Sequence, residues 1–136
     1  MSQRHILPKL GSIPLGIKSI IIGIDTSWYQ PELSRKDAEE HLDTHCSGTF
    51  VFRRSETVPA EYYNANRLLV MSLNTNIGVT HFIVIYKNRK WALVGKQPTF
   101  NNLGDLILYF ASVLSSRKYN TYLVKSLPIY NVYTLE

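Results

Sequence analysis

Apolar residues recur along the middle of the chain in short runs separated by polar turns, a pattern typical of β-strands. These runs are rich in Val, Ile, Phe and Leu, which favour strands, and they cover residues 49–54, 67–73, 79–87 and 91–94. Asn88 and Arg89 separate the last two runs at a spacing that fits a tight turn. The pattern therefore predicts an antiparallel sheet.

Helical periodicity precedes and follows these runs. Ser34 is predicted to cap a helix over residues 35–45 that turns Ala38 and Leu42 toward the core. A second helix is predicted over residues 102–114, capped by Asn101 or Asn102, and its apolar stripe consists of Leu103, Leu106, Ile107, Phe110 and Leu114. The predicted fold class is α+β, a central antiparallel β-sheet flanked by one α-helix on each face.

One arginine, Arg53, stands in the first apolar run at a position where a buried side chain is expected. A guanidinium out of water needs an anion and a full set of hydrogen bonds to compensate its lost hydration. Its immediate neighbours include no carboxylate until Glu56, so we infer an anion that arrives from outside the chain. Ser55 and Thr57 add hydroxyl donors at the end of the strand. Together these residues predict a phosphate pocket.

The two-residue period of a strand places Arg53 and Ser55 on one face of the sheet. The same period lets His81, on the strand 79–87, lie beside Arg53 on the face covered by the helix 35–45. Arg35, in the first turn of that helix, would be within reach. We therefore expect these polar groups to converge at one site.

The residues around Arg53 also match a known pattern. Phe-Val-Phe-Arg-Arg-Ser, residues 50–55, resembles the Phe-Leu-Val-Arg-Glu-Ser signature of Src homology 2 domains, the phosphotyrosine-binding modules. Further matches follow in the family's order, at Trp28-Tyr29, Ser34 to Glu39, Gly48-Thr49, Thr80-His81-Phe82, Phe100 to Phe110 and, more loosely, Leu123 to Pro128. The resemblance spans residues 27–128 and implies a sheet with a helix on each face.

The resemblance implies a module that binds phosphotyrosine peptides and so recruits or docks onto tyrosine-phosphorylated proteins. In such a module Arg53 would grip two phosphate oxygens in a bidentate fork, while Arg35 contacts the phosphate and lies against the phenol ring. Ser55 and Thr57 would complete the shell around the phosphate. His81 is expected to bond the pocket's backbone or hydroxyl groups rather than the phosphate itself. Neither a cofactor nor a metal is expected.

The chain departs from the family pattern at several positions. Many members carry a lysine where this chain has Ile83, so contact with the phosphotyrosine ring is expected to be apolar there. Arg54 stands where glutamate is common, and we expect it to point to the other face with no phosphate role. Phe82 either touches the ligand residues after the phosphotyrosine or packs in the core. Phe82 and Ile83 are thus the candidate peptide-specificity residues.

The length of 136 residues and 45% hydrophobic content suit a single globular domain. We predict an N-terminal extension over residues 1–26, the binding domain over residues 27–130 and a C-terminal tail over residues 131–136. The apolar run at residues 20–24 is far shorter than the roughly 20 residues of a membrane span, so no membrane insertion is expected. We expect the protein to be monomeric.

The formal charge of +5 implies an anionic partner but does not distinguish a phosphopeptide from a nucleic acid or an acidic membrane surface. Cys46 is the lone cysteine, so an intramolecular disulfide is impossible and a reducing compartment is favoured. The expected location is the cytoplasm, or the host cytosol if the protein is a secreted bacterial effector.

Three other functions compete with phosphotyrosine binding. A domain with a vestigial pocket would act as a phosphate-independent interaction scaffold. An enzyme would use His41, His45 and Cys46 as a metal or thiol site, although a fourth ligand and an orienting group are both missing from the pattern. A nucleic-acid-binding protein would stack bases on tyrosines such as Tyr119 and Tyr122, and no nucleic-acid motif supports it. We therefore expect neither enzymatic activity nor a nucleic-acid partner.

Overall fold

One sheet of five strands forms the centre of the computed structural model, which describes residues 13–55, 68–95, 98–112 and 121–129. The strands are β1 (Thr49–Arg53), β2 (Leu68–Thr75), β3 (Gly78–Lys87), β4 (Lys90–Leu93) and β5 (Lys125–Ser126), in the spatial order β4-β3-β2-β1-β5. Neighbours from β1 to β4 are antiparallel, whereas β5 runs parallel to β1. The predicted antiparallel sheet is confirmed, and β5 is added at its edge.

In the part of the chain that the structure describes, three helices cover the sheet, namely α1 (Leu15–Ile21), α2 (Arg35–Leu42) and α3 (Leu103–Phe110). Ser34 caps α2 by accepting a hydrogen bond from the backbone N–H of Asp37 at 3.0 Å. Asn102 caps α3 in the same way, accepting from the N–H of Asp105 at 2.8 Å. Ser34 was the predicted cap, and of the two candidates Asn101 and Asn102 the structure uses Asn102. A side-chain acceptor three residues before a free backbone N–H is a local feature of the sequence. No helix in the described ranges is long and apolar enough to cross a membrane.

Helix α2 ends three residues before the predicted boundary at residue 45. The amide of Asn74, on β2, donates to the carbonyl oxygens of Leu42 at 3.0 Å and His45 at 2.8 Å. Carbonyls at a helix end need partners from outside the helix, and Asn74 supplies them here. The predicted 35–45 helix was therefore too long, because its end depends on a residue of the neighbouring strand.

The apolar residues divide into two cores, one on each face of the sheet. The main core lies between the sheet and the helices α1 and α3 and contains Phe50 and Phe52, both fully buried. The smaller core lies between the sheet and α2 and contains Ala38, Leu42 and Val51. Alternate residues of β1 thus face different cores, as the two-residue period predicts.

Helix α1 belongs to the predicted N-terminal extension, yet it packs on the sheet. Ile17 is fully buried, Ile20 is 6% exposed, and both belong to the main core. Gly16 on this helix lies against Lys125 of β5, where an added Cβ would meet the Lys125 Cβ at 2.7 Å. From residue 13 onward the extension therefore contributes to the packed body.

Gly48 sets the distance between the start of β1 and the segment that carries β5. Its φ of +96° is in the left-handed region, and an added Cβ would lie 2.5 Å from Cγ2 of Val124 and 2.8 Å from the carbonyl oxygen of Tyr122. Its carbonyl accepts from the N–H of Val124 at 2.9 Å. The chain needs a residue without a side chain here, because two backbones meet.

We expect Gly48→Ala to lower the free energy of unfolding by about 3 kcal/mol, combining left-handed strain with a steric clash. Gly23→Ala is a matched control, since Gly23 also has a positive φ of +83° but no atom within 4 Å of an added Cβ. Strain alone should cost about 1 kcal/mol there. Urea unfolding of the two variants measures the difference, and equal losses would contradict the close approach at Gly48.

Candidate functional site

Arg53 lies at the end of β1 and is 2% exposed. Its Nε donates to Oγ of Ser72 at 2.9 Å, and its Nη1 donates to the carbonyl oxygen of Arg54 at 3.1 Å. Its Nη2 lies 3.3 Å from Nδ1 of His81. Each of the three guanidinium nitrogens therefore has a defined partner, which fixes the orientation of the planar group.

His81 continues this hydrogen-bond network across β3 to helix α2. It lies directly opposite Ser72 in the sheet, and its Nδ1 is 2.8 Å from Oγ of Ser72. Its Nε2 is 2.8 Å from Oε2 of Glu39. A carboxylate only accepts hydrogen bonds, so Nε2 carries the proton, and Nδ1 then accepts from the Ser72 hydroxyl and Arg53. The network selects the neutral Nε2–H tautomer of His81.

The charges in the network follow from this arrangement. Burial lowers the pKa of His81 below its ordinary value of 6.5, and the positive charges of Arg53 and Arg35 act in the same direction. The hydrogen bond to Glu39 opposes them without reversing the shift. The pKa of Glu39 is lowered chiefly by its hydrogen bond from His81. At neutral pH the site therefore contains an ionised Glu39 and a neutral His81.

Arg35, in the first turn of α2, joins the network from the solvent side. Its Nε donates to Oε2 of Glu39 at 3.4 Å, and the two side chains are 61% and 43% exposed. An exposed ion pair one helical turn apart contributes only about 0.3–0.5 kcal/mol. Arg35 can therefore exchange Glu39 for another anion at little cost.

The remaining predicted site residues differ in where they lie. Ser55 is half-buried just beyond the end of β1, whereas Thr57 lies outside the described residues. Ile83 follows His81 on the same face of β3 and is 44% exposed. Phe82 points to the other face and packs, partly buried, against the main core. The structure thus places Arg53 beside His81 and connects Arg35 to His81 through Glu39.

Two members of the network, Ser72 and Glu39, were not proposed as site residues from the sequence. Ser72 is a fully buried polar residue in the otherwise apolar middle of β2, on the face of Arg53 and His81. The sequence feature that could have identified Ser72 is its hydroxyl within an apolar run. Glu39 follows Arg35 by four residues on a predicted helix, a spacing that favours an ion pair.

His41 and His45, the two histidines that could suggest a metal site, do not lie on the same helix. Helix α2 ends at Leu42, so His45 lies beyond it and does not follow His41 by one turn on the same helix. Among the described residues, no group of three or more His, Cys, Asp or Glu side chains could hold a metal ion.

Comparison with known proteins assigns this arrangement to a family. The family model for the SH2 domain matches residues 28–110, which include β1 to β4, α2 and α3. The chain belongs to the SH2 domain family. Arg53, Arg35 and His81 all fall within the matched range, and SH2 domains are modules that bind phosphotyrosine peptides.

Two relatives illustrate the match. The tyrosine-protein kinase abl-1 of Caenorhabditis elegans is 25% identical over 107 residues, which make up 78% of this chain and 8% of that protein. The chain thus spans a small part of that kinase. The solution NMR structure of the SH2 domain of a CRK/CRKL homolog (crka1) from Monosiga brevicollis superposes with a TM-score of 0.60 at 28% identity, covering 76% of this chain and 88% of that domain.

The lowered pKa of His81 predicts how the stability of this SH2 domain depends on pH. As the pH falls below 6.5, the unfolded chain binds the histidine proton before the folded chain does, so the free energy of unfolding decreases until the pH passes the folded pKa. We expect the free energy of unfolding of His81→Gln to depend less on pH in this window. The lowered pKa of Glu39 affects stability separately, at pH values below the ordinary pKa of 4.5.

Urea unfolding between pH 8 and 5 measures this dependence, and His45→Gln is a matched control that removes a histidine outside the network. NMR of the ring nitrogens of His81 should show the neutral Nε2–H form at neutral pH. An unchanged pH slope in His81→Gln would contradict a partly buried, neutral His81.

Proposed function

We propose that this SH2 domain binds tyrosine-phosphorylated segments of partner proteins, with Arg53 as the residue that grips the phosphate. The observation that carries this assignment is the buried and oriented guanidinium of Arg53, held by Ser72 and His81 at the end of β1. Phosphate is the anion that suits it, because a planar guanidinium donates two parallel hydrogen bonds to two phosphate oxygens.

The geometry supports a bidentate grip. A planar guanidinium presents five N–H donors in a fixed fork, a geometry that matches two oxygens of one phosphate. The grip needs a ligand long enough to reach a side chain that is 2% exposed. Phosphotyrosine meets this requirement better than the shorter phosphoserine and phosphothreonine.

Arg35 is the second cation of the proposed site. It lies at the solvent side of the network in a weak pair with Glu39, so an arriving phosphate can recruit it. The phosphotyrosine ring would then lie between Arg35 and the exposed side chain of Ile83. Ile83 supplies apolar contact there, and Arg35 supplies the charge.

Ser55 and Thr57 are proposed as hydroxyl donors to the phosphate. The position of Ser55 just after β1 supports its role, while the role of Thr57 rests on the sequence pattern. His81 is proposed to position Arg53 through Nδ1. Phe82 packs on the main core, and its exposed part is proposed to touch ligand residues that follow the phosphotyrosine.

We propose that the chain acts as a recruitment module without catalytic activity of its own, in the cytosol. SH2 domains are in general non-enzymatic binding modules, and the kinase activity in the name of abl-1 is a property of that longer protein. The binding domain is proposed to cover residues 27–130, with helix α1 of the preceding extension packed on it.

We expect Arg53→Leu to weaken the binding of a phosphotyrosine peptide at least about a hundredfold, because each charge-assisted hydrogen bond contributes about 1.5–3 kcal/mol. Arg53→Lys should lose most of the same affinity, since lysine keeps the charge but not the fork. Calorimetric titration with a degenerate phosphotyrosine peptide pool measures both losses.

Arg54→Leu is a matched control for this experiment. It removes the neighbouring arginine, whose side chain is 45% exposed and lies 3.8 Å from Glu32, and it should bind like the wild type. Unphosphorylated and phosphoserine pools should bind weakly to every variant. Equal binding to all pools, or wild-type affinity in Arg53→Leu, would instead support a phosphate-independent scaffold.

A further inference from the structure

The hairpin between β3 and β4 carries three cations in four residues, Lys87, Arg89 and Lys90, and all of them are exposed. Lys87 and Lys90 lie directly opposite each other in the sheet, an arrangement that is unfavourable for like charges. Asn88 and Arg89 form the turn with φ values of 54° and 63°, where a glycine would be favoured over an arginine. The hairpin therefore holds positive charge at positions where it lowers stability.

The described carboxylates do not neutralise these cations. The ion pairs among the described residues join Glu39 to Arg35 and Glu32 to Arg54, Glu39 also accepts from neutral His81, and none of these contacts includes a residue of the hairpin. Lys90 donates to the neutral side-chain oxygen of Asn101. A bound anion would relieve the repulsion between Lys87 and Lys90.

A cavity of about 500 Å³ opens beside this lysine pair. Ile85, Ala92 and Val94 form an apolar part of its lining, and Lys87 and Lys90 form a charged part. Ile85 and Ala92 are cross-strand partners, as are Lys87 and Lys90, so each pair shares one face of the sheet. We call this cavity and its two lysines the hairpin groove.

The hairpin groove lies on the same face of β3 as His81, because His81, Ile83, Ile85 and Lys87 alternate with residues of the opposite face. Ile83 is 44% exposed and Val94 is 52% exposed, and the N–H of Val94 bonds the carbonyl of Ile83 at 2.9 Å. An exposed apolar track therefore leads from the phosphate site to the lysine pair.

The length of this track sets the distance between the two anionic groups of a ligand that occupies both ends. His81 and Lys87 are six positions apart on one strand, which corresponds to about 20 Å at roughly 3.4 Å per residue. An extended peptide needs about six residues to cover the same distance.

We propose that the hairpin groove binds acidic side chains of the ligand peptide, about six residues from the phosphotyrosine. This inference rests on the proposed function, because the phosphotyrosine at Arg53 anchors the ligand. Apolar ligand residues contact Ile83, Ile85 and Val94 between the two anionic groups. The groove thus selects for ligands with a distant acidic segment.

The test is fluorescence anisotropy with phosphotyrosine peptides that carry three glutamates or three glutamines five to seven residues away, on either side of the phosphotyrosine. In at least one orientation we expect the wild type to prefer glutamate by about fivefold, the scale of two exposed ion pairs. The double variant K87Q/K90Q should lose this preference and keep its affinity for the glutamine peptide.

K18Q/K125Q is a matched control that removes the same number of positive charges from α1 and β5, at the opposite edge of the sheet. This variant should retain the preference for glutamate, because the preference depends on where the lysines lie and not on the total charge of the protein. A missing preference in the wild type, or one that survives K87Q/K90Q, would overturn the inference while leaving phosphotyrosine binding intact. Binding that is indifferent to Arg53→Leu would instead overturn the proposed function itself.

Discussion

The site depends on keeping the charge of Arg53 out of water in one fixed orientation. A buried guanidinium is tolerated only where hydrogen bonds replace its lost hydration, and two of its partners, Ser72 and His81, come from the next two strands. A shift of either strand by one residue would turn its partner to the opposite face. The register of three strands is thus a condition for the site, and the apolar residues of the main core determine that register.

Two helices cover one face of the sheet and α2 covers the other, and the site lies on the face of α2. Helices α1 and α3 pack over the main core, while α2 covers a smaller core built around Val51, Ala38 and Leu42. Arg53 follows Val51 on the same face, just beyond that smaller core. Helix α2 therefore has two roles, because its apolar side closes the smaller core while Arg35 and Glu39 line the site.

Features that depend on local chemistry or on the two-residue period could be predicted from the sequence. The caps at Ser34 and Asn102 and the opposite faces of Phe52 and Arg53 are of this kind. Features set by contacts distant in sequence could not. The end of α2 depends on Asn74, and the docking of α1 depends on a surface built by α3 and β5. Ile13, Ile17 and Ile20 of the predicted extension are buried, but nothing local in the sequence shows which surface buries them.

Glu39 connects Arg35 and His81 in the candidate site. It accepts hydrogen bonds from Arg35 and His81 through the same oxygen, so its single negative charge serves both residues. The exposed bond to Arg35 is weak and exchangeable, whereas the shorter bond to His81 fixes a tautomer. If an anion binds Arg35 as proposed, the bond from His81 to Glu39 and the bonds of Nδ1 to Ser72 and Arg53 need not change, because none of them includes Arg35. The proposed site would then have a preorganised part around Arg53 and an adaptable part at Arg35.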